Sequence, residues 1–182
     1  EIVFLSFEQL QKLEQTDFVI GRIQQIKDMF IFCCYTGLGF TEMKQLKKGD
    51  ITQEFDGNLW LNVRRVKTKR SYKVPLLPKA LEIKDKYNNE STDYVFPRVS
   101  NPNFNAYLKE IADIVGIEFN LTHHIARKTF ASTVLLYNNV PIEVVSKLLG
   151  HSKIQTTQES YGKIVQKSIS KEMDRLNNKL KN

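Results

Sequence analysis

Apolar positions recur along this chain at two spacings, and each spacing predicts its own kind of element. Ser6 followed by Gln9 is a capping-box pattern that opens a short helix. From Ile20 to Tyr35 the chain is apolar on nearly every face, which predicts a buried helix, and Thr36-Gly37-Leu38-Gly39 stops it. A second short helix is expected around Glu42 to Lys47. Between Asp50 and Pro75 the period changes: Asp56-Gly57-Asn58 marks a turn, and Leu59 to Val66 and Tyr72 to Leu76 read as strands of a small antiparallel sheet with a basic far turn. Helical spacing then resumes, with Pro78 near the start of a helix to about Tyr87 and a second helix from Asn101 to Val115 before Gly116. Thr122 is the expected N-cap of a helix reaching about Tyr137. Asn138-Asn139 turns the chain, Pro141 sits near the next start, and Gly150 closes that helix. Ser152 with Gln155 predicts a second capping box, opening a short helix that carries Tyr161. In the tail from Ile164 to Leu180, Val165, Ile169, Leu176 and Leu180 keep helical spacing, so this helix packs on its own domain or on a neighbour. The expected fold class is mainly α with a small antiparallel β-sheet (α+β).

The chain has 182 residues and neither internal repeat nor Pro/Gly-rich linker, which predicts one domain over 1–182 with a real core. No apolar run approaches the roughly 20 residues needed to span a bilayer, so no membrane association is expected. Cys33 and Cys34 are adjacent, which suits neither a disulfide nor a metal-ligand pattern. They read as buried thiols of a reducing, cytoplasmic compartment. The first residues do not resemble a signal peptide, and the lack of an initiator Met leads us to expect part of a longer protein. The net charge of +7 favours a polyanionic partner. Its distribution is more telling: Arg64, Arg65, Lys67, Lys69, Arg70 and Lys73 follow one another with no acid among them, the concentration expected to neutralise phosphates.

Thr122 as N-cap places His124 and Arg127 three residues apart on one helical face, where both can address one phosphate, helped by the positive helix N-terminus. Taken alone, His-x-x-Arg is commonplace and reads first as a structural histidine beside a surface arginine. His151 follows the Gly150 cap, so the chain turns and presents the imidazole at a helix end; a polar cap is the plain alternative. Tyr161 lies ten residues onward, one short helix away, and Gly162 next to it offers backbone freedom. By itself Tyr161 also reads as an ordinary exposed side chain.

The segments LTHHIARKTF, LLGHSKIQTTQESYGKI and CCYTGLGFTEMKQL resemble the tyrosine recombinase (phage integrase) family, in its order and over nearly the whole chain. The chain is especially similar to integrases of Bacteroides-type conjugative transposons, through Lys67-Thr68 and Pro75-Leu76-Leu77-Pro78. The resemblance implies the tyrosine recombinase catalytic-domain fold and an enzyme that breaks and rejoins DNA strands site-specifically through a 3′-phosphotyrosine. It assigns Tyr161 as nucleophile, Arg127, His124 and His151 as phosphate and proton partners, and Lys67 as general acid for the departing 5′ oxygen, with Arg65 and Arg70 as neighbouring cations that favour proton release. The family spacing to Arg127 selects His124 over His123, and Lys128 stands where many members have another histidine. Arg64, Lys69, Arg70 and Lys73 are left to contact DNA. One departure matters: the family's first arginine follows TGL, where this chain has Gly39. Loss of that charge would cost roughly 10²- to 10³-fold in rate. In a strand, residues two apart share a face with about 7 Å between their backbones, so Arg65 and Lys67 point the same way, Arg64 points oppositely, and Arg65 is the proposed replacement. Glu42 matches a common family acid and reads as a structural partner of the catalytic cations. Because the phosphotyrosine keeps the bond energy and no carboxylate cluster suits a two-metal nuclease, neither ATP, metal nor cofactor is expected. Implied partners are double-stranded DNA and a homotetramer on paired DNA sites, with the isolated domain free to be a monomer. N-terminal DNA-binding domains lie outside this chain, and the tail helix is a candidate for exchange between protomers. Two rivals are a type IB topoisomerase, which relaxes supercoils, and a catalytically silent DNA-binding factor lacking the first arginine.

Overall fold

The computed structural model describes residues 1–181. Helix α1, Phe7–Gln15, opens with the expected capping box: Ser6 Oγ accepts from the Gln9 N–H (3.1 Å) and Gln9 Oε1 from the Ser6 N–H (2.9 Å). Helix α2, Gly21–Thr36, is the hub. Apolar on almost every side, it buries Ile26, Met29, Phe30, Phe32 and Cys34, and the later helices α4 (Pro78–Lys86), α5 (Asn101–Val115) and α6 (His123–Thr129) pack around it. Cys33 and Cys34 are buried and unpaired, and burial pushes both thiols up. Gly37 ends α2 at φ +74°, and a Cβ built there would stand 2.5 Å from the Phe130 ring, so only glycine allows both the turn and the contact. Helix α3, Phe40–Gln45, starts two residues before the expected Glu42 because Phe40 and Met43 go into the core.

Three antiparallel strands follow in the order β1 (Ile51–Gln53), β2 (Leu59–Arg64) and β3 (Ser71–Pro75). The pairs Leu61↔Val74 and Val63↔Tyr72 put these four residues on one face, of which Leu61, Val63 and Val74 are buried. Strand β2 stops at Arg64 rather than Val66. The Arg65 N–H donates to the Arg70 carbonyl (2.8 Å) and the Lys69 N–H to the Arg65 carbonyl (2.7 Å), with Lys69 at φ +55°, so the hairpin closes and Val66–Lys69 form its tip. Lys67 therefore sits in a turn, and the strand alternation expected to align it with Arg65 does not reach it.

Thr122 holds the N-cap position of α6, but its side chain makes no cap bond; Asn105 Oδ1 accepts from the His123 N–H instead (3.0 Å). The helix expected to reach Tyr137 is α-helical only to Thr129. It widens into a π turn over Phe130–Leu135, tightens to a 3₁₀ turn over Leu136–Asn138 and ends at Asn139, φ +62°. Helix α7, Ile142–Leu148, ends in a Schellman turn: the Gly150 N–H donates to the Lys147 carbonyl and the His151 N–H to the Ser146 carbonyl, both 3.0 Å, with Gly150 at φ +69°. This turn delays the next helix. Helix α8 begins at Ile154 with Lys153 as N-cap, so the capping box expected from Ser152 and Gln155 does not form. Nor is there a break after Tyr161: α8 runs unbroken over Ile154–Leu180, passing through Gly162, which supplies no turn. Among the described residues no helix is long and apolar enough to cross a membrane.

Candidate active site

Arg127 is the knot of the site. Its Nη1 donates to the Gly37 carbonyl (2.8 Å) and its Nη2 to the Leu149 carbonyl (2.6 Å), the terminal carbonyls left over where α2 and α7 end. One guanidinium thus ties α6 to the ends of two other helices, each turned by a left-handed glycine. Burial lowers its pKa, and nearby Arg65 acts in the same direction, while Tyr72 and Tyr161 oppose them. An arginine stays charged through such shifts, so a concentrated positive charge is held inside the protein.

His151 emerges from the Gly150 turn beside that charge. Burial first, then Arg127 and Arg65, push its pKa down to about 4, so at neutral pH the ring is uncharged and donates through one N–H. Its Nδ1 is 2.7 Å from Thr157 Oγ1, and Thr157 is fully buried one turn ahead of Tyr161 on α8. The bond fixes the imidazole to the helix that carries the phenol. Tyr161 is 6% exposed and packed in the core, not in the polar setting its neighbours suggest. Burial raises its pKa, and Arg127 works against that by favouring the phenolate.

Arg65 leaves β2 on the inward side, next after the Val63–Tyr72 pair by alternation. Its Nε lies 3.4 Å from Glu42 Oε1, which also accepts from the Val66 N–H (3.3 Å). Its Nη1 is buried without a partner among the described residues, and so is the Tyr72 hydroxyl. A buried donor left alone costs about 1–3 kcal/mol. Glu42 also bears on the missing arginine: a Cβ on Gly39 would stand 2.6 Å from Glu42 Oε2. The carboxylate that holds Arg65 fills the space a side chain at position 39 would need, so the glycine and the arginine placement are parts of one arrangement.

The structure therefore gathers Arg65, Arg127, His151 and Tyr161. It does not gather Lys67, which is exposed at the hairpin tip, or His124, which is exposed with its ring against that of His123 (3.9 Å between centroids, tilted by 39°). His123 is turned toward Phe40 (5.4 Å), and burial, then His124, lowers its pKa. Arg64, Lys69 and Arg70 line the exposed hairpin, while Lys73 is engaged by Glu54 at 2.7 Å, which offsets its charge. Four participants escaped the sequence reading: Tyr72, Thr157 and the carbonyls of Gly37 and Leu149. The signal for Tyr72 was its strand phase with Val74; for Thr157 it was the one-turn offset from Tyr161. The carbonyls carry no sequence signal. No cluster of three or more metal-ligating side chains occurs among the described residues.

Residues 4–167 match the phage integrase family. Transposase B from transposon Tn554 of Staphylococcus aureus is 28% identical over 186 residues, covering 92% of this chain and 29% of that protein. Tyrosine recombinase XerD of Lacticaseibacillus casei is 32% identical over 139 residues, covering 68% of this chain and 45% of XerD. The chain thus spans less than half the length of these relatives. Among solved structures, the Tn1549 transposon integrase in complex with circular intermediate DNA superposes with a TM-score of 0.71 at 19% identity, covering 96% of this chain and 67% of that one. XerA recombinase gives a TM-score of 0.68 at 24% identity, covering 86% and 59%. The architecture, mostly helical with a small three-stranded sheet, is that of tyrosine recombinase catalytic domains.

Proposed function

The chain belongs to the phage integrase family, and from that premise we propose that it is the catalytic domain of a site-specific DNA recombinase acting through a 3′-phosphotyrosine on Tyr161. The observation that carries the reading is the meeting of two guanidinium groups, a neutral imidazole and a buried phenol at one place. A phosphodiester is the substrate such a site fits. Arg127 and Arg65 neutralise the charge that grows on the non-bridging oxygens, and His151 adds a hydrogen bond. Tyr161 attacks phosphorus in line, its proton passing to solvent, since His124 stands outside the gathered groups, and the 5′ oxygen leaves with a proton from Lys67. A 5′ hydroxyl of another strand reverses the step, so bond energy is kept and ATP has no role; the guanidinium charges do the work for which other phosphoryl-transfer sites use metal ions.

Arg65 stands in for the arginine absent at Gly39, held by Glu42. Lys67 enters only when bound DNA draws the hairpin tip inward, with Arg64, Lys69, Arg70 and Lys73 on the flanking backbone. The partner is double-stranded DNA, a reading supported by the likeness to the Tn1549 integrase in complex with circular intermediate DNA, and the cell compartment is the cytoplasm. Similarity to Tn554 transposase and the Tn1549 integrase supports a mobile-element enzyme; the Lys67-Thr68 and PLLP segments narrow it to the Bacteroides conjugative-transposon type. Residues 1–182 form one catalytic domain, preceded in the whole protein by DNA-binding domains. A homotetramer on paired sites accounts for the outer part of α8, where Ile169, Met173, Leu176 and Leu180 are exposed, as an element exchanged between protomers. The test is a nicked suicide duplex carrying the joined ends of the encoding element: wild-type protein accumulates a covalent adduct and Tyr161→Phe accumulates none. Supercoil relaxation without strand exchange in the full-length protein would favour a topoisomerase, and DNA binding without adduct a silent factor.

A further inference from the structure

We propose that the Tyr72 hydroxyl is a further catalytic donor, bonding a non-bridging oxygen of the scissile phosphate beside Arg65; this rests on the strand-transferase reading above. Three side-chain polar atoms are buried without a partner among the described residues: Arg65 Nη1, Tyr72 Oη and Ser132 Oγ. Ser132 belongs to the π turn beyond α6. The other two come from one face of one hairpin and share the surroundings of Arg127. Buried donors in folded proteins nearly always have acceptors. Two of them around the Arg127 guanidinium call for an acceptor that is anionic and has more than one oxygen to offer.

The position of the hydroxyl is imposed by packing. A Cβ on Gly150 would stand 2.5 Å from Tyr72 Cδ1 and 2.6 Å from Cε1, so the ring lies flush against the residue that turns the chain into His151. The same glycine that orients His151 thereby seats Tyr72, and the phenol oxygen faces Arg127, a guanidinium that can only donate to it and offers no acceptor for the hydroxyl proton. Tyr161, buried at the same centre, remains the nucleophile; Tyr72 forms no covalent bond and only donates its proton in a hydrogen bond.

The test compares full-length wild-type and Tyr72→Phe proteins on the nicked suicide duplex, made with the ordinary phosphate and with each methylphosphonate diastereomer at the scissile position. Tyr72→Phe keeps the ring and its seat on Gly150, which a thermal melt coincident with wild type verifies. Expected is a loss of about 10²-fold in adduct formation at saturating DNA, with unchanged DNA affinity. The loss disappears on the one diastereomer that lacks the oxygen Tyr72 addresses and persists on the other. An equal loss on all three substrates would make Tyr72 a packing residue for Arg127, and no loss on the phosphate would give it no role; either overturns the proposal. If the melt falls, the diastereomer comparison still decides, because a packing defect acts on both alike. Failure of the wild-type protein to form any adduct would instead sink the strand-transferase reading and the proposal with it.

Discussion

Arg127 and Lys67 are both cations assigned to one reaction, yet the protein treats them oppositely. Arg127 is clamped by two helix-end carbonyls at 2.8 and 2.6 Å and surrounded by Arg65, Tyr72, His151 and Tyr161. Lys67 rides an exposed hairpin tip with no described contact to any of them. The difference follows from what each job requires. Charge stabilisation works when the dipoles and charges are already in place, because no reorganisation is then needed at the transition state. A proton donor needs only to be present when the leaving oxygen is, and a donor that arrives with the DNA couples cleavage to a correctly bound substrate.

The hairpin tip should give the largest effect. Lys67→Ala lowers adduct formation by about 10²- to 10⁴-fold, the range of a general acid. Replacing the bridging 5′ oxygen by sulfur, a leaving group that needs no proton, should restore most of the rate. Persistence of the full defect with sulfur would move Lys67 to the docking surface. In the pocket, Arg65→Ala should cost about 10²- to 10³-fold in adduct formation with DNA affinity retained; abolished DNA binding would make Arg65 a docking residue. Gly39→Ala should reproduce a weaker form of that defect, because the added methyl displaces Glu42 from Arg65.

In the unfolded chain a histidine takes up its proton near pH 6.5, whereas His151 does so only at about 4 in the folded protein. Between these values the unfolded state binds more protons, so His151 erodes stability as pH falls from about 6.5 toward 4 and is neutral in its effect above. NMR titration of the imidazole should show the low pKa in the wild-type chain and a higher one in Arg65→Ala, where one of the two repelling cations is gone. An unchanged titration would place Arg65 outside the pocket. The smallest effects belong to the hairpin flank: Arg64→Ala or Arg70→Ala should each reduce the salt slope of DNA binding by about 1, and Lys73→Ala by less, since Glu54 already pairs it.

Local chemistry was legible wherever a few neighbouring residues decide the backbone. Ser6 and Gln9 form their capping box, Gly37 and Gly150 turn the chain as expected, and Arg64 faces solvent while Arg65 turns to Glu42. The same grammar misled where a neighbouring turn had priority. Ser152 and Gln155 repeat the Ser6–Gln9 pattern, but the Schellman turn at Gly150 postpones the helix to Ile154 and leaves Ser152 outside it. Strand alternation failed at Lys67 because the hairpin closes at Arg65 and Arg70. The π turn after Thr129 and the two carbonyls that hold Arg127 depend on packing between segments some 90 and 22 residues apart, which no local pattern records.

The central claim is that these groups surround one phosphorus atom attacked by Tyr161. Proteolysis of the trapped protein–DNA adduct, followed by mass spectrometry of the nucleotide-bearing peptide, tests it most directly. The expected peptide spans Tyr161 and carries a 3′-linked nucleotide on that phenol. A nucleotide found on any other side chain, with Tyr161 recovered unmodified, would contradict the account.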